Sequence, residues 1–95
     1  MRILYGPEAE ADIVRLVRWS GKRFGAAQTR TYVAGLREAI ARLRDMPEIA
    51  PPVSHGDRAY RRLVHRSHVV YSMPLSDHIR IVRVFHMRQD PQRHL

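Results

Sequence analysis

The last third of the chain, from Tyr60 to Leu95, limits most strongly how the sequence can fold. It contains three runs rich in β-forming residues, AYRRLVHR, HVVYSMP and HIRIVRVFHM, and only short turns separate them. Consecutive strands joined by short turns pair in the antiparallel direction. The third run is apolar on both faces, which predicts a strand in the centre of the sheet. One face is predicted to hold Ile79, Ile81 and Phe85, and the other Val82 and Val84.

The first 46 residues predict a short strand and two helices. Arg2 to Tyr5 is rich in β-formers, and the Gly-Pro pair that follows closes this strand. Apolar residues at helical spacing predict one helix up to Phe24 and, after Gly25, a second from about Ala26 to Asp45. Each helix has an apolar face too wide to be covered by the other helix alone, so both need a sheet beneath them. The predicted fold class is α+β in the order β-α-α-β-β-β, with an antiparallel sheet packed against a helical hairpin.

The size and composition of the chain indicate one soluble domain over residues 1–95. No apolar run approaches the roughly 20 residues of a membrane span, and the first residues contain no apolar signal segment. The absence of cysteine excludes disulfides and thiolate metal sites. We therefore expect a cytoplasmic protein without a cofactor.

Positive charge is concentrated in the second part of the chain. Residues 1–57 hold nine basic and seven acidic side chains, whereas residues 58–95 hold eight arginines and two aspartates, a net charge of +6. All basic residues except Lys22 are arginines, whose planar fork binds carboxylate or phosphate through two parallel hydrogen bonds. The pattern favours an acidic protein or a nucleic acid as partner. Codon bias in a GC-rich genome explains the composition equally well.

Two details of the predicted helices and loop leave alternatives open. Trp19 lies outside the apolar stripe of its helix, so it is either a second packing contact or an exposed anchor. Packing is favoured because large aromatic side chains are mostly buried. Glu48 to Arg58 is predicted as a loop because it contains Pro51, Pro52 and Gly56. His55 and Asp57 in this loop have no complementary base or nucleophile nearby in the sequence, so they do not indicate a catalytic site.

Three segments that cover nearly the whole chain resemble the RelE/ParE superfamily of bacterial toxins, and the ParE branch most closely. The segments are EAEADIVRLVRWSGKRFGAAQTRTYVAGL, YRRLVHRSHVVYSM and IRIVRVFHMRQDPQRHL. The positions that carry the likeness are Trp19, Phe24, Gly25, Ala26 and Gln28 in the helices, and Tyr60–Arg62, Ser67–Tyr71 and Arg83–His86 in the sheet. The order and spacing of these pieces make the match specific.

The resemblance implies a toxin that inhibits DNA gyrase and blocks replication until a ParD-like antitoxin neutralises it. Such complexes are expected to contain two copies of each chain or more, and the toxin alone is not expected to bind DNA specifically. The candidates for target binding are His86, Arg88, Arg93 and His94. The candidates for antitoxin binding are Trp19, Arg61, Arg62 and Arg80. On this interpretation no catalytic residue and no metal site are expected.

The RelE branch offers an alternative function, ribosome-dependent cleavage of mRNA. This chemistry needs cations for the developing phosphorane charge and a proton donor for the leaving oxygen. Of the three residues that resemble RelE positions, Arg88 keeps its type, while His68 and His94 replace an arginine and a tyrosine. A degenerate toxin that acts only with its antitoxin in operon autoregulation is a further alternative.

The arginines of the sheet and one histidine pattern are further candidate sites. The arginines Arg61, Arg62, Arg66 and Arg80 are expected to form a solvent face that blunts edge pairing. Arg83 shares the parity of apolar positions, so it is expected to be partly buried and paired with an acid from the helices. His86, Asp90 and His94 have a helical spacing that could suit a metal, but Pro91 interrupts it.

Overall fold

The computed structural model describes residues 1–89 and 91–95. Strand β1 (Arg2–Tyr5) leads into a hairpin of two helices, α1 (Pro7–Phe24) and α2 (Ala26–Ala41). The remaining elements are two single 3₁₀ turns (Arg42–Arg44 and Pro47–Ile49), the strands β2 (Pro52–His55), β3 (Arg58–His65), β4 (His68–Pro74) and β5 (His78–His86), and a short helix α3 (Pro91–His94). The five strands form one sheet in the order β1-β5-β4-β3-β2, and the helical hairpin packs on one face of it. The predicted α+β class is confirmed.

The helical hairpin forms where the sequence signals predict it, except that α2 ends at Ala41 and a 3₁₀ turn at Arg42–Arg44 replaces its predicted last turn up to Asp45. Pro7 occupies the first turn of α1, where its missing N–H is not needed, and acidic residues there and basic residues in the last turn complement the helix dipole. Gly25 ends the helix at φ 90°, a conformation that is unfavourable for residues with a Cβ. Thr29 Oγ1 then donates a 2.8 Å hydrogen bond to Ser20 Oγ between the two helices. No helix in the described ranges is long and apolar enough to span a membrane.

The sheet is mixed, whereas the sequence predicts an antiparallel one. The three runs of the last third pair in the antiparallel direction as predicted, but β1 pairs with β5 in parallel, with Ile3 opposite Ile79. A parallel neighbour is possible here because the connection between the two strands passes through both helices. Strand β5 has partners on both sides, but β4, with five consecutive buried residues, occupies the middle of the sheet.

The segment predicted as one continuous loop contains an edge strand. Residues Pro52–His55 pair with β3 in the antiparallel direction, and the Arg62 N–H donates to the carbonyl of Pro51 just before the strand. Proline is tolerated at the start of an edge strand because it need not donate a hydrogen bond there. Gly56, at φ 63°, forms the tight turn into β3. The prolines and Gly56 correctly predict the turns, but they do not predict the short strand between them.

A β-bulge in β5 reverses part of the predicted face assignment. Tyr71 pairs with Arg83 and Ser72 pairs with Ile81, so Val82 has no direct partner. Beyond such an extra residue the alternation of faces is inverted. Val84 consequently joins the core beneath the helices, while Phe85 lies on the opposite face of the sheet, which we call the open face. The prediction that Phe85 shares a face with Ile79 and Ile81 is wrong for this reason.

Each face of the sheet has its own apolar cluster. The main core lies between the hairpin and the sheet and includes Ala9, Ile13, Leu16, Leu36, Ala39, Ile40, Leu43, Leu63, Val70, Ile79, Ile81 and Val84. The open face carries a second cluster, Tyr60, Val69, Tyr71 and Phe85, against which Leu95 packs. The aromatic rings of this cluster meet edge to face, a favourable geometry for their quadrupoles. The C-terminal residue therefore belongs to the fold of the open face.

Candidate functional site

One end of the sheet brings together three histidines and a tyrosine from four elements. The β3–β4 turn approaches the end of β5, where the Met87 N–H donates to the Ser67 carbonyl. Tyr32 of α2 places its hydroxyl oxygen 2.7 Å from Nδ1 of His68, and the rings of His68 and His86 are 5.4 Å apart. His65 is the cross-strand partner of His68, and its ring centre lies 5.8 Å from that of Tyr32. We call Tyr32, His65, His68 and His86 the histidine cluster.

His68 in this cluster is neutral at physiological pH. Its residue surface is only 8% exposed, and burial, together with the charges of His86 and His65, lowers the pKa of His68 to about 4. Burial and the nearby Arg66 and Arg42 guanidinium groups likewise lower the pKa of His65. A neutral, buried imidazole cannot provide the cation that phosphate chemistry requires. The cluster is suited to holding α2 on the sheet.

Beyond the end of β1, an acidic residue of α1 completes the edge of the sheet. The side chain of Asp12 is 4% exposed, and its Oδ2 accepts a 2.8 Å hydrogen bond from the backbone N–H of Val84. Arg83 donates to both carboxylate oxygens, through Nε at 2.8 Å and Nη2 at 3.0 Å. Burial alone would raise the pKa of Asp12, but the hydrogen bonds from Arg83, Val84 and the exposed Arg15 outweigh it and lower this pKa.

The predicted pairing of Arg83 with an acid of the helices is thus confirmed, although by a different route. Because of the bulge, Arg83 lies on the open face, where its guanidinium stacks on the Phe85 ring at 4.6 Å. From there it reaches around the edge of the sheet to Asp12. The same guanidinium donates through Nη1 to the carbonyl of His94 at 2.9 Å. One side chain therefore joins α1, β5 and the C-terminal segment.

The four candidates for target binding lie at or after the end of β5. His86 is half-buried, while Arg88, Arg93 and His94 are exposed. The turn is ordered by the His86 N–H, which donates to Oε1 of Gln89, and by the Arg88 N–H, which donates to Nδ1 of His86. His86 and Arg88 thus belong to one ordered turn, whereas His94 lies with Arg83 and Phe85.

The three residues that resemble RelE catalytic positions do not converge. His68 faces the helices and contacts Tyr32. The His94 ring lies on the open face, 5.7 Å from the ring of Phe85. Arg88 is exposed on the turn between them. The sheet therefore separates the two imidazoles that would have to act as acid and base on one phosphate.

The histidine pattern considered for a metal has no structural support in the described residues. Asp90, one of its three members, lies outside them. Among the described residues, no group of three or more histidines, aspartates or glutamates has a geometry suited to a metal ion.

The candidates for antitoxin binding occupy different environments. Trp19 is 52% exposed and touches the exposed Phe24 edge to face at 6.0 Å, with Arg23 stacked 5.4 Å from its ring centre. The expectation that Trp19 packs in the interior is therefore wrong, because the angle at which it leaves α1 carries it past the core. An exposed aromatic pair beside a guanidinium is typical of a protein-binding surface.

The three arginine candidates differ in how much they are already engaged. Arg61 donates to the carbonyl of Ala50 at 2.9 Å, which secures the loop before β2. Arg62 is half-buried, and Arg80 is exposed with its guanidinium against Gly6, where an added Cβ would lie 3.1 Å from Nε. Arg80 is thus the candidate of the three that is most accessible to a partner.

A groove on the outer side of the helical hairpin was not predicted. It has a volume of about 510 Å³ and lies between α1 and α2. The groove is lined by Val17, Gly21, Ala26, Thr29, Arg30, Val33, Ala34 and Arg37. Val14 and Val17 are 48% and 43% exposed, although valine is ordinarily a core residue. Val17 follows the helical spacing of the apolar stripe of α1, so the position of Val14 off this stripe was the sequence signal that could have indicated a second surface.

Known proteins resemble this chain over almost its full length. Residues 3–91 match the model of the ParE toxin of type II toxin–antitoxin systems, parDE. Toxin ParE of Escherichia coli is 34% identical over 91 residues, covering 87% of this chain and 82% of the relative. Toxin ParE1 of Mycobacterium tuberculosis strain H37Rv is 32% identical over 95 residues, covering 99% and 97% of the two chains. A solved structure of the chromosomal ParDE system from P. aeruginosa has the same fold, with a TM-score of 0.79 at 18% identity over 90% of this chain and 95% of that one.

Proposed function

Because the chain belongs to the ParE toxin family of type II toxin–antitoxin systems, we propose that it inhibits DNA gyrase by binding and that a ParD-like antitoxin neutralises it. The gyrase target and the antitoxin class are extended to this chain by family analogy. The observation that carries a binding mechanism is the exposed apolar groove of the hairpin. Cleavage of RNA is less well supported, because the candidate acid and base lie on opposite faces of the sheet.

The groove supports an antitoxin segment with an apolar face and acidic flanks. Its lining is mainly apolar, which favours burial of a partner's apolar side chains. Arg30 and Arg37 lie at this groove and can pair with carboxylates of the partner. An amphipathic helix that lies in a groove presents side chains in this way. We propose two copies of each chain or more in the complex.

Substitutions in the groove test the antitoxin surface. Val17→Asp places a charge in the apolar groove, and we expect at least about a hundredfold weaker antitoxin binding, because an unpaired charge is costly to bury. Val64→Asp, which changes an equally exposed valine of β3, is the matched control. Affinity is measured by calorimetry and folding by circular dichroism. Equal affinities for the two folded variants would contradict the proposed groove.

The basic end of the molecule supports target binding. Arg88, Arg93 and His94 are exposed at or after the turn that follows β5, and their side chains can donate hydrogen bonds to an acidic surface. We propose that these residues contact gyrase. No site for sequence-specific DNA recognition is proposed, because a basic protein binds DNA weakly and nonspecifically in any case.

A supercoiling assay with purified toxin and gyrase tests the target. We expect inhibition by the natural chain, relief on adding the antitoxin, and at least tenfold weaker inhibition by the Arg88→Ala/Arg93→Ala variant. Arg58→Ala, an exposed arginine at the start of β3, is the control. Growth arrest with unaltered gyrase activity and codon-linked cuts on ribosomes would instead favour the mRNA endonuclease. Absence of growth arrest would favour a role in operon autoregulation.

A further inference from the structure

We propose that Arg83 is a positioning residue, held by Asp12, that fixes the C-terminal segment Pro91–Leu95 in the place from which it contacts the target. The inference rests on the proposed function for the contribution of Arg93 and His94 to target binding. Its structural part, the attachment of the segment through Arg83, stands on the geometry of the chain itself.

The first step of the argument is that Asp12 is a fixed acceptor. Its carboxylate is nearly inaccessible to solvent and takes hydrogen bonds from the backbone of Val84, from Arg83 and from Arg15. The bond from Val84 ties it to the sheet, so the carboxylate cannot follow a movement of the arginine. Charge-assisted hydrogen bonds are the stronger ones in proteins, and a two-point contact also fixes the plane of the guanidinium.

The second step is that Arg83 divides its donors between two parts of the chain. Nε and Nη2 donate to Asp12, and Nη1 donates to the carbonyl of His94. The guanidinium also lies 4.6 Å from the centre of the Phe85 ring, which supports its plane. The orientation of the guanidinium is therefore fixed by Asp12 of α1 and by Phe85 of β5. The third nitrogen, Nη1, points at the C-terminal segment.

The third step is that the segment has few other attachments. Within the described part of the chain, the Leu95 N–H bonds to the Pro91 carbonyl inside the segment, and the Arg83–His94 bond joins it to the rest. Leu95 packs against the aromatic cluster of the open face, and the His94 ring tilts against Phe85. A helix of four residues is not stable without tertiary contacts, so the arginine bond and these packing contacts decide its position.

Arg83→Lys tests whether the planar fork of this side chain is needed for its two attachments. A lysine keeps the positive charge beside Asp12, but its compact ammonium lacks the planar fork that reaches the carboxylate and the His94 carbonyl together. Asp12→Asn is the second variant, since it loosens Arg83 without altering the atoms that contact His94. Arg58→Lys is the matched control, because Arg58 is exposed on the same sheet and takes no part in this network.

The structural readouts are the rate at which carboxypeptidase releases Leu95 and the NMR shift of the His94 ring protons beside Phe85. We expect Arg83→Lys to release Leu95 about tenfold faster, as for loss of a hydrogen bond from a charged donor, and to move the His94 signals toward random-coil positions. Asp12→Asn should change both in the same direction, and Arg58→Lys neither. Unchanged release and unchanged His94 shifts in a folded Arg83→Lys protein would overturn the proposal.

The functional readout is gyrase inhibition in combination with a deletion of residues 91–95. We expect Arg83→Lys and the deletion each to weaken gyrase inhibition at least fivefold. Once the segment is absent, Arg83→Lys should weaken inhibition no further, because the two changes act on one interaction. Additive losses would overturn the positioning role. If the natural chain leaves gyrase unaffected, the proposed target fails, while the release and NMR measurements still decide whether Arg83 holds the segment.

Discussion

Acidification is expected to destabilise this fold because His68 is kept neutral inside it. The unfolded chain has an ordinary histidine pKa near 6.5, and the folded chain holds the pKa of His68 at about 4. The unfolded state therefore binds the proton more readily, so stability is complete above about pH 6.5 and is lost as the pH falls toward 4. At about 1.4 kcal/mol per pH unit, the loss is about 2 kcal/mol at pH 5 and about 3 kcal/mol at pH 4.

Urea unfolding followed by circular dichroism between pH 7.5 and 4.5 measures this loss. A domain of this size typically has a free energy of unfolding of about 5–10 kcal/mol, so the expected change is a large part of the total. His68→Gln keeps a polar side chain opposite Tyr32 but has no titrating group, and we expect most of the pH dependence in this window to disappear.

His55→Gln is the control for this experiment. It removes one imidazole from the chain and leaves the histidine cluster intact, so the loss of stability on acidification should persist. The hydrogen-bonded Asp12 carboxylate, whose pKa is lowered in the fold, adds a further loss only at still lower pH. An equal dependence on pH in the natural chain and in His68→Gln would refute the assignment to His68.

Three further predictions separate buried from exposed contributions. Asp12→Asn should lower the free energy of unfolding in urea by about 3 kcal/mol, since it weakens a largely buried ion pair. Arg15→Gln, which changes the exposed partner of Asp12, should lower it by at most about 0.5 kcal/mol. Equal losses would contradict this. Leu36→Ala should cost about 3 kcal/mol by leaving a cavity, against less than about 0.5 kcal/mol for Val64→Ala at an exposed position. Trp19→Ala should weaken antitoxin binding at least tenfold while the free energy of unfolding changes by less than about 1 kcal/mol. A larger loss of folding stability than of antitoxin affinity would assign this side chain to the fold.

The sequence predicts the helices and the three long strands well because each has a strong local signal. The helical spacing of Ile13 and Leu16 and the breaks at Gly25 and Pro47 set the hairpin, and all of them act within a few residues. The strand Pro52–His55 could not be recognised, because a four-residue edge strand that begins with proline has the composition of a loop. Its existence depends on a partner strand, which is not a local property.

The same distinction applies to the candidate site. The pairing of Arg83 with an acid of the helices could be predicted because Arg83 shares the parity of apolar positions. The bulge at Val82 could not be predicted, because alternating apolar residues on both faces look the same in either register. The direction in which Trp19 leaves its helix likewise depends on how the helix is rotated against the sheet.

The parallel pairing of β1 with β5 has a consequence for the order in which the chain can fold. Strand β1 pairs with β5, and Asp12 of α1 accepts a hydrogen bond from Val84, 72 residues further along the chain, so these contacts form only once β5 is present. Contacts between such distant residues close the longest loops of the chain and form late. A nascent chain that has not yet reached β5 lacks the strand beside β1 and the edge that Asp12 caps. The sheet edge that carries β1 and Asp12 is therefore completed only after β5 is present.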